Sequence, residues 1–332
     1  MSGFQAEKAL VRAHYDAIAK ATPETVGAAL AARTVADWHW RGMHPFYEQT
    51  GAAAVAEVFW APLMTALTRM QRREDIFFAG RNEIDGAASV WVISMGHLMG
   101  LWDKPLLGLG GTRKIAMLRY AEFNRVEGGE IVETAMFCDI PHLLMQAGIN
   151  PFPPQTAAHL VQPGPLTHDA LLYDDAPAEE GAKTLAPINA MIGDLGTWQL
   201  GLPLEEELAR TWNDDMIWWG PAGIGASYTI ERYAKQHSGP FRAGFTERSS
   251  TGHLCRTAEG HYGGFFGWPN FTARSTGGFM GMPAMEGKGE FRVVDIYRRD
   301  GDKLAENWIF IDILHWMSTL RVDVLARLRK AV

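Results

Sequence analysis

Two aspartates sit in the same local setting in distant parts of the chain. Asp139 lies in IVETAMFCDIPHL, from Ile131 to Leu143, and Asp312 in LAENWIFIDILHW, from Leu304 to Trp316. At one offset of 173 (312 minus 139), Glu133 falls on Glu306, Phe137 on Phe310, Ile140 on Ile313 and His142 on His315. A carboxyl held among apolar and aromatic groups resists ionisation, so its pKa climbs toward the range in which it passes protons near neutral pH. Trp308, Phe310 and Trp316 are close to Asp312 in sequence, while Asp139 has Met136 and Phe137, a softer wall. Asp312 is therefore the first candidate acid/base and Asp139 the second, with His315 and His142 as candidate partners. The same residues suit a structural role, since Asp followed by Ile-Pro at Asp139 makes a good helix N-cap. Glu133 and Glu306 share a strand face with the aspartates if alternation holds, although bulges reset alternation and a carboxylate just past a hairpin is usually solvated.

The paired segments belong to a longer repeat. Across Ala116 to Leu144 the 173 offset gives eight identities in 29 positions, where chance would give about two. Trp40-Arg41-Gly42 echoes Trp218-Trp219-Gly220, and GHxxG recurs at Gly96-His97 to Gly100 and Gly260-His261 to Gly264. Each half reads helix, helix, strand, helix and then strands. In the first half, apolar spacing predicts helices over Ala6 to Ala21 and from Thr22 onward, a tryptophan-rich strand before Pro45, a helix over residues 51–70, and strands from Arg72. Gly128-Gly129 supplies a tight hairpin turn. Residues 151–181, with six prolines between Pro151 and Pro177, read as a connector. The expected organisation is a first domain over 1–150, that linker, and a second domain over 182–332.

Composition narrows the function classes. The chain has 332 residues, 47% hydrophobic and 21% charged, enough to bury a sizeable core. A net charge of -7 gives no electrostatic footprint for nucleic acid or an anionic membrane. The N-terminus lacks the features of a signal peptide and no run of about 18 apolar residues predicts a membrane span, so the reading is cytoplasmic. Cys138 and Cys255 are too few for a disulfide framework. Asp37, His39 and His44 are not spaced as metal ligands on a helix, and Gly220 to Gly225 lacks the third glycine of a dinucleotide fingerprint. No metal or cofactor is expected. Twelve tryptophans point to an apolar or polycyclic ligand. The candidates for lining its pocket are Trp40, His44, Trp91, His97, Trp219, His261, Trp268 and Trp308. Tyr262 to Gly281, glycine-rich and aromatic, is either a mobile lid or a surface loop.

FMGMPAMEGKGEFRVVDIYRRDGDKLAENWIFIDILHW, Phe279 to Trp316, resembles the signature segment of the SnoaL-like polyketide cyclases within the nuclear transport factor 2-like superfamily. The resemblance implies two tandem α+β cone-shaped barrels, each a curved antiparallel sheet closed by about three helices. It also implies an internal pseudo-dimer, with a further homodimer open. Asp312, and by the repeat Asp139, would then be general acid/base in a cofactor-free aldol closure. Two function classes follow: a lyase, isomerase or cyclase acting on an apolar carbonyl compound, and a non-catalytic small-molecule binder using the same cones.

Overall fold

The computed structural model describes residues 3–159, 162–197 and 201–331. Trp198 and Gln199, expected to end the helix beginning near Ala186, and Leu160 and Val161 of the connector lie outside the described residues. Contacts group the chain into two compact units. The first holds Met1–Pro151, Leu166–Asp175 and Asp323–Val332; the second holds Phe152–Pro165 and Ala176–Val322. The connector is thus divided between the units. Its Leu166–Asp175 portion adds to the first, where Phe77 N donates to Ala170 O and Leu172 N to Phe77 O, both at 2.8 Å.

The first unit opens with α1 (Gln5–Lys20), which buries Val11, His14, Tyr15 and Ile18 at helical spacing. α2 (Val26–Ala31), β1 (Thr34–Gly42) and β2 (Glu48–Thr50) follow. A helical run then comprises α3 (Ala52–Val55), a π-helical turn over Ala56–Trp60 and α4 (Ala61–Ala66). The long strands β3 (Leu67–Arg81), β4 (Val90–Trp102), β5 (Ile115–Glu127) and β6 (Glu130–Cys138) come next, before α5 (Ile140–Gln146). Gly128 and Gly129 turn the β5–β6 hairpin with φ of 58° and 83°, as their lack of a Cβ allows. The six strands pair in the order β2-β1-β6-β5-β4-β3.

The second unit repeats this order. α6 (Ala178–Thr197), α7 (Leu204–Leu208), β7 (Trp212–Trp219) and β8 (Ala226–Tyr228) precede a run of α8 (Ile230–Tyr233), a π turn over Ala234–Ser238, and α9 (Gly239–Ala243). The strands are β9 (Phe245–Ser250), β10 (Cys255–Glu259), β11 (Tyr262–Phe266), β12 (Phe271–Ser275), β13 (Lys288–Phe291), β14 (Val293–Asp300) and β15 (Lys303–Ile311). α10 (Ile313–Thr319) closes this unit, and α11 (Val324–Ala331) belongs to the first. The sheet order β8-β7-β15-β14-β11-β10 matches that of the first unit strand for strand. Two tandem α+β units are therefore present, as the repeat predicts. The sheets are mixed rather than antiparallel throughout, because β1 runs parallel to β6 and β7 parallel to β15, and neither sheet closes into a barrel.

The halves differ in one way that shapes the interior. Where the first unit has continuous strands of 15 and 13 residues, the second breaks between β9 and β10, between β11 and β12, and between β13 and β14. The detached pieces form a separate sheet, β13-β12-β9. Tyr262 to Gly281 supplies β11 and β12 and a short 3-10 turn that buries Phe279 and Met280. It is woven into the sheets and is neither a lid nor a surface loop. The GHxxG echo is also not structural: Gly100 pairs with Ala116, whereas Gly264 pairs with Ile296, the counterpart of Phe123 at the 173 offset.

Candidate active site

The breaks in the second sheet open a cavity. A lobe of about 420 Å³ is lined by Ser250, His253, Asn270 and Val293, residues flanking the interruptions, and by Ile192 and Leu195 of α6. An adjoining lobe of about 100 Å³ runs inward among Trp212, Trp218, Tyr233, His237 and Phe241. Asp295 on β14 lines both lobes. Its Oδ1 accepts a 3.0 Å hydrogen bond from Asn307 Nδ2 on the neighbouring strand, and the Tyr297 hydroxyl also bonds to it. Burial outweighs both bonds and pushes the carboxyl from 3.8 up to about 7. A carboxyl so placed is present in both protonation states at neutral pH, which suits proton transfer to and from a bound molecule.

The first cone shows what the same scaffold does when filled. Asp295 corresponds at the 173 offset to Glu122, Val293 to Tyr120, Tyr297 to Asn124 and Asn307 to Thr134. Glu122 is paired with Arg72 at 2.8 Å. The Arg72 guanidinium lies 3.7 Å from the Tyr15 ring centre and 4.6 Å from that of Tyr120. Asn124 Nδ2 donates to the Tyr15 hydroxyl at 2.9 Å, and Thr134 Oγ1 donates to Asn124 Oδ1 at 2.7 Å. The acid of the first cone is thus neutralised and its surroundings are occupied by side chains. In the second, a shorter acid and a valine in place of a tyrosine leave space.

No protein-family model matches the chain, and no curated protein matches it. Solved structures do. IdmH of Streptomyces antibioticus, a proposed polyketide cyclase, matches 42% of this chain over 96% of its own, at 14% identity and a TM-score of 0.35. A nuclear transport factor 2-like protein from Burkholderia thailandensis matches 45% over 99%, at 22% identity and a TM-score of 0.32. A proposed SnoaL-like polyketide cyclase from Jannaschia matches 46% over 95%, at 16% identity and a TM-score of 0.35.

The residues singled out in the sequence fall elsewhere. Asp139 and Asp312 are both helix N-caps: Asp139 Oδ1 accepts from His142 N at 3.0 Å and Asp312 Oδ1 from His315 N at 3.1 Å. Asp312 is wholly buried and Asp139 nearly so; Arg119 Nη1 stands 3.9 Å from Asp139. Neither aspartate lines the two lobes. His142 contacts Gln146 at 3.2 Å and His315 contacts Glu290 at 3.1 Å. The repeated glutamates are one half of a repeated ion pair, Glu133 with Arg125 and Arg41, and Glu306 with Arg298. Arg298 and Glu306 are register partners one step from Tyr297 and Asn307, so they face away from Asp295.

Register separates most of the aromatic candidates from the cavity too. Trp308 and Trp219 are partners on β15 and β7, and alternation turns them away from the lobe that Asn307 and Trp218 line. Trp308 Nε1 donates to Pro163 O at 2.9 Å. Trp40 packs 5.4 Å from Phe59 in the first cone. On β4, Trp91 donates to Ser89 and His97 lies 3.2 Å from Asp75, both on the face opposite Ser94, whose hydroxyl meets that of Tyr120. His44 stacks edge-on to Tyr47. His261 is half-exposed at a turn beside Glu180, and Arg292 covers the Trp268 ring at 4.0 Å. Among the described residues no three His, Cys, Asp or Glu side chains group as metal ligands, and no helix is long and apolar enough to cross a membrane.

The capping geometry carries a prediction. Asp312→Ala is expected to cost about 1 kcal/mol of stability in chemical denaturation, while Asp312→Asn, which caps equally well, should stay near wild type. A loss of several kcal/mol on Asp312→Asn would show that the charge, and not the cap, is what the fold uses there.

Proposed function

We propose that the second unit is a cofactor-independent acid/base enzyme acting on an apolar carbonyl compound, as a lyase, isomerase or cyclase, with Asp295 as the proton-transferring group. The observation that carries this reading is a buried carboxyl poised near pH 7 where a lobe of about 420 Å³, lined by polar and apolar side chains together, meets an aromatic inner lobe; the larger lobe is within the size range of small-molecule sites. As carboxylate, Asp295 removes a proton from the carbon beside a carbonyl; as acid, it returns that proton to carbon or to the oxygen formed when the enolate attacks a second carbonyl. Asn307 and Tyr297 hold the carboxyl in place through hydrogen bonds. Trp212, Trp218 and Phe271 give the apolar walls that exclude water and favour a ring-bearing substrate. In this reading Asp312 and Asp139 cap helices, and the first cone has no proton-transfer role.

The test is turnover of a panel of polyketide-like, terpenoid and steroid ketones by wild type, Asp295→Asn, Asp312→Asn and Asp139→Asn. Loss confined to Asp295→Asn is expected. Loss confined to Asp312→Asn or Asp139→Asn would move the chemistry to the caps. Ligand binding without turnover, unchanged by Asp295→Asn, would leave a binding protein.

A further inference from the structure

The duplication provides an internal control on the cavity wall. Trp40 pairs with Thr134 and Trp218 with Asn307, so the two tryptophans are counterparts at an offset of 178 (218 minus 40). The π turns over Ala56–Trp60 and Ala234–Ser238 keep the same offset (234 minus 56). They place Phe59 5.4 Å from Trp40 in the first cone. In the second they place His237 4.0 Å from Trp218, nearly parallel at 19°. Packing at this position is satisfied by an apolar ring, as Phe59 shows. His237 is instead a buried imidazole whose Nδ1 has no hydrogen-bond partner among the described residues. An unsatisfied buried nitrogen works against the fold and calls for a reason other than packing.

His237 lines the inner lobe together with Asp295, and Tyr233 and Phe241, each 5.6 Å away, hold its ring. Resting on the acid/base reading of Asp295, we propose that His237 is a second catalytic residue, whose imidazole N–H donates a hydrogen bond to the substrate's carbonyl oxygen. Burial holds its pKa down to about 3, so the ring stays uncharged at neutral pH and serves as a donor, not as a cation. The electrons balance without a co-reactant. Asp295 takes the proton, the C–H pair becomes a carbon–carbon double bond, and the carbonyl π pair moves onto the oxygen that faces the imidazole. Return of the proton to carbon gives isomerisation; attack on a second carbonyl of the same molecule gives ring closure, with the proton delivered to the new alkoxide. The substrate this favours places an enolisable carbonyl on an aromatic or polycyclic body.

The probes are naphthalene and 2-naphthol, which share one apolar body and differ by one oxygen, titrated into wild type, His237→Phe and His237→Gln. Wild type is expected to prefer 2-naphthol. His237→Phe, which copies the first cone, should lower 2-naphthol affinity by about tenfold while keeping naphthalene, and His237→Gln, which retains an N–H, should stay within about threefold of wild type. Equal 2-naphthol affinity in wild type and His237→Phe, with naphthalene bound by both, overturns the role of His237 and leaves the cavity reading intact. Failure of wild type to bind naphthalene removes the cavity reading and this proposal with it.

Discussion

Asp295→Asn is expected to lower turnover by about 10²- to 10⁴-fold, the range that a positioned acid/base supplies, while making the protein more stable at pH 8. The two effects have one origin. In the folded protein the carboxyl keeps its proton up to about pH 7, whereas its ordinary value is 3.8. Folding therefore binds a proton between those values, and the stability present below about pH 4 is lost as pH rises through 7. A displacement from 3.8 to about 7 corresponds to at most about 4 kcal/mol. Asparagine keeps the shape and the bond network but has no charge to bury. Chemical denaturation should thus show little difference between Asp295→Asn and wild type at pH 4 and a gain of up to about 4 kcal/mol at pH 8. A difference that does not change with pH would mean that Asp295 ionises in the fold as it does in water.

Arg72→Ala is expected to be among the most damaging single changes in the first unit, at about 3 to 5 kcal/mol, because it leaves Glu122 buried without its counter-charge. The guanidinium also stacks on Tyr15 and Tyr120, so the substitution removes packing as well as charge. The double change Arg72→Met with Glu122→Leu should recover most of the loss, since a buried ion pair replaced by apolar groups of similar volume is often neutral or better. Chemical denaturation followed by tryptophan fluorescence reads both. Activity of the folded Arg72→Met, Glu122→Leu protein is expected to match wild type; a coincident loss would bring the first cone into the chemistry.

The repeat carried most of the fold. Eight identities at one offset were enough to give two units of the same element order, and Gly128-Gly129 turned the hairpin they suggested. What the repeat could not carry was function, because identity between copies marks what both halves need. Asp139 with Asp312 cap equivalent helices, and Glu133 with Glu306 make equivalent ion pairs. The proposed site lies where the copies differ: Asp295 against Glu122, Val293 against Tyr120, His237 against Phe59. The signal was present in VVDIYRR, Val293 to Arg299, where an acid interrupts an apolar strand two residues before a tyrosine. Strand phase decided the tryptophans. Trp218 and Trp219 are adjacent in sequence, and only register shows that the first enters the inner lobe. The parallel strand pairs and the breaks that create the cavity depend on contacts far apart in sequence, which local pattern does not encode.

The most direct measurement is exchange of α-protons for deuterium, followed by proton NMR in heavy water, with 1-tetralone and a steroid ketone as reporters for wild type, Asp295→Asn and Asp312→Asn. Such exchange reads proton transfer at carbon without knowledge of the natural product. Exchange accelerated by wild type and by Asp312→Asn, rising as pH passes through about 7 and absent in Asp295→Asn, is the expected result. Acceleration that survives in Asp295→Asn and disappears in Asp312→Asn would contradict it.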